Sequence, residues 1–167
     1  EDELIRPAVE GTLRVLRAAA AGGVERVVLT SSVAAVRVGH NGIGTEADWS
    51  DTAACDAYEK SKTLAERAAW DFAAAEPGLQ LAVINPGMIL GPVQRAVSGT
   101  SVEAVRALLA KEMPGVPNIG FATVDVRDVA AAHRLAMERP NAAGNRYICA
   151  GRQVSLPEFA EILATRY

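Results

Sequence analysis

A chain of 167 residues, half of them apolar, fits one domain and carries enough hydrophobic surface for a buried core, which excludes a disordered segment. The 17 basic residues are dispersed and the net charge is −3, which argues against nucleic acid or an anionic membrane surface and suits a small neutral or acidic metabolite. No apolar run approaches the roughly 20 residues of a membrane span, the chain opens acidic rather than signal-like, and Cys55 and Cys149 lie outside any disulfide or metal spacing. A reduced, cytoplasmic protein without a metal site is expected.

Residues 3–21 read as a helix: Ile5, Val9, Leu13, Leu16 and Ala20 recur at helical spacing, Pro7 falls in the first turns, and Gly22-Gly23 closes it. Arg26-Val27-Val28-Leu29-Thr30 is a short, nearly all-apolar run, the pattern of a buried parallel strand. Ser31-Ser32 follows it. Ligands of open α/β sheets bind beyond the carboxyl ends of the strands, so these hydroxyls either face a crevice or satisfy backbone groups of the turn. Residues 39–56, with several glycines and Trp49, are too polar for the core and long enough for a binding loop. His40 within it, and His133 later on a helix, stand alone and read as structural.

Asp56 or a neighbour caps a helix over residues 57–75, which ends at Pro77-Gly78. Its first turns carry Tyr58 and Lys62, four residues apart and hence on one face, where the ammonium favours the phenolate and lowers a pKa that normally lies near 10. Such a tyrosine is a general acid/base. The same spacing also describes a solvated helix face, so the neighbouring motifs must decide. Residues 79–84 form a second buried strand that exits into Asn85-Pro86-Gly87-Met88, where proline and glycine punctuate its end. A loop to Thr100, a helix over 101–111, a loop marked by Pro114 and Pro117, an extended segment 123–126 and a helix over 127–138 come next. Residues 141–145 turn into a candidate strand at 146–150, and Ser155-Leu156-Pro157-Glu158 is a capping pattern opening a last helix that runs to Tyr167.

Five motifs in order then carry a resemblance. They are Pro7-Ala8-Val9-Glu10-Gly11-Thr12 with Leu16; residues 26–36; Tyr58-Glu59-Lys60-Ser61-Lys62 with Ala65-Glu66; Asn85-Pro86-Gly87 with Leu90-Gly91-Pro92; and residues 124–130. Together they resemble the extended short-chain dehydrogenase/reductases of the NAD-dependent epimerase/dehydratase superfamily, nearest to the dihydroflavonol, cinnamoyl-CoA and aldehyde/ketone reductases. Ala8, where many sugar-nucleotide epimerases carry asparagine, leans toward the reductases.

The resemblance implies an α/β fold: a partial Rossmann-like, doubly wound parallel sheet with part of a small C-terminal substrate subdomain. Residues 1–92 would be the C-terminal half of the dinucleotide-binding domain, and residues 93–167 a mixed segment, mainly substrate subdomain. It implies an NAD(P)H-dependent carbonyl reductase in which Tyr58 gives its proton to the substrate oxygen, Lys62 bonds the nicotinamide ribose, and Ser32, with Ser31 as fallback, donates to the same oxygen. The cofactor, NADP(H) ahead of NAD(H), would lie against Thr30, Ser31, Tyr58, Lys62, Asn85, Pro86, Gly87 and Met88, with no metal. Asp125 and Asp128 match structural acids. Helices 3–21 and 57–75 are those through which many members pair as homodimers, although the reductases include monomers. The alternatives are a sugar-nucleotide epimerase or dehydratase, and a non-catalytic fragment.

The family's G-x-x-G-x-x-G turn has no counterpart here. Gly39-His40-Asn41-Gly42-Ile43-Gly44 follows a catalytic-loop pattern instead of opening a helix. A piece of a longer enzyme, binding dinucleotide poorly by itself, is therefore expected.

Overall fold

A computed structural model describes residues 2–93, 99–112 and 115–166. The expected loop across 94–98, Pro114, and the expected helix end at Tyr167 lie outside them. Helix α1 spans Asp2–Ala21 and ends as its Gly22-Gly23 pair requires: Gly23 adopts φ +69°, and the Val24 N–H reaches back to the Ala19 carbonyl at 3.0 Å. Strand β1 (Arg26–Thr30) follows, then a single 3-10 turn over Val33–Ala35 and the long loop. Helix α2 (Ala57–Ala75) opens with a complete capping box between Asp56 and Glu59. Gly39 and Gly42 sit at positive φ in that loop, and no helix opens between Gly39 and Ala57.

Strand β2 (Gln80–Pro86) pairs in parallel with β1, and β5 (Arg146–Cys149) pairs in parallel with β2, so the order of the first sheet is β1-β2-β5. β2 is buried on both faces because its residues alternate. Leu81 and Val83 meet Leu16 of α1 and Ala69 of α2, while Ala82 and Ile84 meet Ala136 of helix α4 (Val126–Glu138). The result is a three-layer helix–sheet–helix sandwich.

Two expectations need correction. β1 is parallel but only half-buried, since among the described residues β2 is its sole strand partner and its outer edge is open. The Asn85-Pro86-Gly87-Met88 segment does not end the strand: β2 continues to Pro86, and after one glycine the chain becomes β3 (Met88–Leu90) in a second sheet. There β3 lies parallel to β4 (Gly120–Asp125), and β4 lies antiparallel to β6 (Gln153–Ser155), which leads into helix α5 (Leu156–Ala164). Helix α3 covers Thr100–Leu109. Gly87 is the pivot, for a Cβ there would stand 2.2 Å from the Ala122 carbonyl oxygen.

Candidate active site

The carboxyl ends of β1 and β2 lie side by side, joined where the Ser31 N–H donates to the Ile84 carbonyl at 2.8 Å. Both exits are hydrogen-bonded to Glu66 in the middle of α2, a helix that packs against the Val33–Ala35 turn. Ser31, Ser32 and Asn85 of the two strand exits thus lie together at one end of one sheet, where ligand sites of open α/β folds lie, and Tyr58 and Lys62 stand on the helix packed beside them.

Tyr58 presents its phenol to solvent at 51% exposure, and the Lys62 ammonium lies 5.7 Å from the centre of its ring. Ser32 is the N-cap of the 3-10 turn: its backbone is extended and its Oγ accepts the Ala34 N–H at 3.1 Å, which leaves its own proton able to donate outward. Ser31 is turned the other way, donating to Glu66 Oε2 at 2.5 Å. Thr30 Oγ1 sits 2.7 Å from His133 Nε2, while Nδ1 of that ring donates to the Val129 carbonyl at 2.8 Å. His133 and His40, whose Nε2 bonds the Trp49 carbonyl at 2.8 Å, both brace the fold.

Asn85 is fully buried, and its amide N–H groups donate to the Ser32 carbonyl at 3.2 Å and to Glu66 Oε2 at 2.7 Å. Pro86 beside it is buried, whereas Gly87 and Met88 are partly open. Burial raises the pKa of both cysteine thiols, helped at Cys55 by the charge of Glu59, so they stay protonated at neutral pH and offer no thiolate. Among the described residues, no three His, Cys, Asp or Glu side chains converge as a metal site would, and no helix is long and apolar enough to cross a membrane.

Glu66 and Arg146 are the site-forming residues that sequence reasoning left without a role. Glu66, 1% exposed, accepts from Ser31, Asn85, Arg146 Nε (2.6 Å) and the Trp70 indole (3.4 Å). A signal did exist: Tyr58, Lys62, Glu66 and Trp70 recur every fourth residue, one stripe along the helix. Two concavities, of about 360 and 400 Å³, lie away from Tyr58: one beside Leu90, Asp125 and Phe159, the other beside Trp49, Trp70 and Arg146.

Comparison with known proteins identifies the family. The family model described as the NAD dependent epimerase/dehydratase family matches residues 1–150. Cinnamoyl-CoA reductase 1 of Oryza sativa subsp. japonica is 40% identical over 171 residues, covering 98% of this chain and 50% of that protein. The crystal structure of Gre2 from Candida albicans in complex with NADPH superposes with a TM-score of 0.88 at 32% identity, over 100% of this chain and 56% of that one. Vestitone reductase from alfalfa (Medicago sativa L.) does so with a TM-score of 0.78 at 30% identity, over 99% and 56%. The chain spans about half the length of the curated relatives it matches.

Proposed function

Because the chain belongs to the NAD dependent epimerase/dehydratase family, we propose that the protein carrying it is an NADPH-dependent carbonyl reductase whose proton donor is Tyr58. The reading rests on one observation: an exposed phenol with an ammonium over its ring, on the helix that packs against the turn holding the Ser32 hydroxyl. The donor set fits the nicotinamide end of such a cofactor, with Lys62 as the cation and the exit segments Thr30-Ser31 and Asn85-Pro86-Gly87-Met88 as the wall. Asn85 and Pro86 are buried, so they would serve through backbone groups.

When bound, the nicotinamide supplies a hydride to the carbonyl carbon. Tyr58 gives its phenolic proton to the carbonyl oxygen, so that an alcohol results, and Lys62 offsets the charge left on the phenolate. Ser32 donates to that oxygen and steadies its developing charge. Exposure lets Tyr58 recover a proton from water.

In the full-length protein, Tyr58→Phe is expected to lower turnover by about 10²- to 10⁴-fold while NADPH affinity, read by fluorescence titration, persists. Retained turnover would refute the assignment. NADPH rather than NADH is favoured because the Gre2 relative is described in complex with NADPH, and substrate-dependent oxidation of the two coenzymes compares them directly. Conversion of a nucleotide sugar without net NADPH consumption would mark an epimerase or dehydratase instead. Free thiols at Cys55 and Cys149 suit a reducing, cytoplasmic compartment. A homodimer through α1 and α2 is part of the proposal, supported by Leu4 and Val15, exposed on α1; sedimentation as a monomer at micromolar concentration would refute it.

A further inference from the structure

A carboxylate taken out of water needs partners on every lone pair it presents, and Glu66 has four donors. Two come from the strand exits, Ser31 Oγ and Asn85 Nδ2, and two from beyond the site, Arg146 Nε and Trp70 Nε1. The first pair distinguishes the two serines. With Ser31 donating to Glu66 and the Ser32 Oγ accepting the Ala34 N–H, Ser32 is the one whose own proton remains for another acceptor. Asn85 then carries the link to Ser32 itself, because its second N–H holds the Ser32 carbonyl. An amide turned the other way would aim Oδ1 at a carboxylate and a carbonyl, two acceptors, so its orientation follows from the acceptor-only character of Glu66.

Arg146, of the second pair, reaches the long loop. The Arg146 side chain is 7% exposed; beyond Glu66 its guanidinium donates to the Glu46 carbonyl at 3.0 Å and the Asp48 carbonyl at 2.5 Å, and stacks 3.9 Å from the Trp49 ring. One buried charge therefore ties α2, both strand exits, β5 and residues 46–49.

We propose that Glu66 is a positioning residue for the reductase chemistry: through Asn85 it sets Ser32, and through Arg146 it anchors the 46–49 segment of the long loop. This deepens the carbonyl-reductase reading and rests on it. The alternative is a buried ion pair that contributes only to stability. Glu66→Gln separates the two, since an amide of the same shape must point its NH2 either at Ser31 and Asn85 or at Arg146 and Trp70, where donors already stand.

In the full-length protein, Glu66→Gln is expected to lower kcat roughly 10- to 100-fold with NADPH affinity within about twofold of the parent. Hydrogen exchange should rise at residues 46–51 or at 31–35 while the amides of β2 keep their protection. Ser32→Ala should lose at least tenfold more turnover than Ser31→Ala. A kcat within about threefold of the parent, unchanged exchange in both segments, or the reverse order of the two serines would each overturn the proposal. Should Glu66→Gln not fold, Arg146→Lys takes its place with the same kcat and loop-exchange criteria, because a single ammonium cannot serve Glu66 and both loop carbonyls in the fork geometry. If Tyr58→Phe keeps its turnover, the reductase reading falls, and the exchange data still decide whether Glu66 positions Ser32 and the loop.

Discussion

Ser31 and Ser32 are neighbours of identical chemistry held in different roles, one donating to a buried carboxylate and one capping a helix. Ser31→Ala leaves Glu66 a donor short, so a stability loss of about 1–3 kcal/mol is expected from urea unfolding. Asp125 is a second residue whose chemistry can be tested alone. Hydrogen bonds from the Arg127 side chain and backbone lower its pKa from 3.8 to about 2. A depressed folded-state pKa contributes stability that is complete above the unfolded value and fades as pH falls through the folded one. Asp125→Asn, which keeps a capping side chain, should therefore unfold at lower urea than the parent at pH 7, and the gap should close between about pH 4 and pH 2. A gap of constant size across that range would show that the charge is not its cause. Asp125 caps α4, its Oδ1 accepting the Arg127 N–H at 2.8 Å.

At the scale of elements, α2 is the part of the chain most legible beforehand. Its start, end, cap and the Tyr58/Lys62 face all follow from local rules: a side chain that accepts the N3 amide, helix-forming residues, and a Pro-Gly stop. Since the capping box holds the turn that carries Tyr58, Asp56→Ala should cost about 1 kcal/mol and also reduce turnover, measured on the same preparation. The β2–β3 passage was less legible. Pro86-Gly87 reads as a strand end because both residues usually break ladders, yet here the glycine lets one strand pass into a second sheet beneath Ala122. Gly87→Ala should destabilise by about 1–3 kcal/mol or more, because the obstructing atom is a backbone oxygen that no rotamer change can move. An unaltered melting temperature would contradict the close approach.

At the scale of the whole molecule, β1 occupies a sheet edge with half-buried side chains, whereas β5, the opposite edge, is covered. The Ile148 N–H donates to Glu46 Oε1 at 3.1 Å and Arg146 holds the same loop, so residues 46–49 protect that edge from pairing. β1 has no such cover among the described residues. The Glu25 carbonyl and the Ser31 N–H both point at β2, so by the alternation of a parallel ladder the odd-numbered residues face inward and Val28 and Thr30 face out. Their amides should exchange hydrogen much faster than that of Leu29 in the 167-residue chain, and equal protection would mean that the edge is occupied.

What the sequence by itself determined is whatever depends on near neighbours along the chain: helix limits, the apolar strands, the capping residues, and the Tyr58/Lys62 spacing that a helix converts into a shared face. Tertiary structure alone decided which strand became an edge, that a Pro-Gly pair joins two sheets, and that Glu66 gathers donors from residues 31, 85 and 146. A buried charge gives no local sign of its partners, because what selects them is the need to satisfy it in low dielectric, and that need is met by whichever groups the packed fold brings within reach.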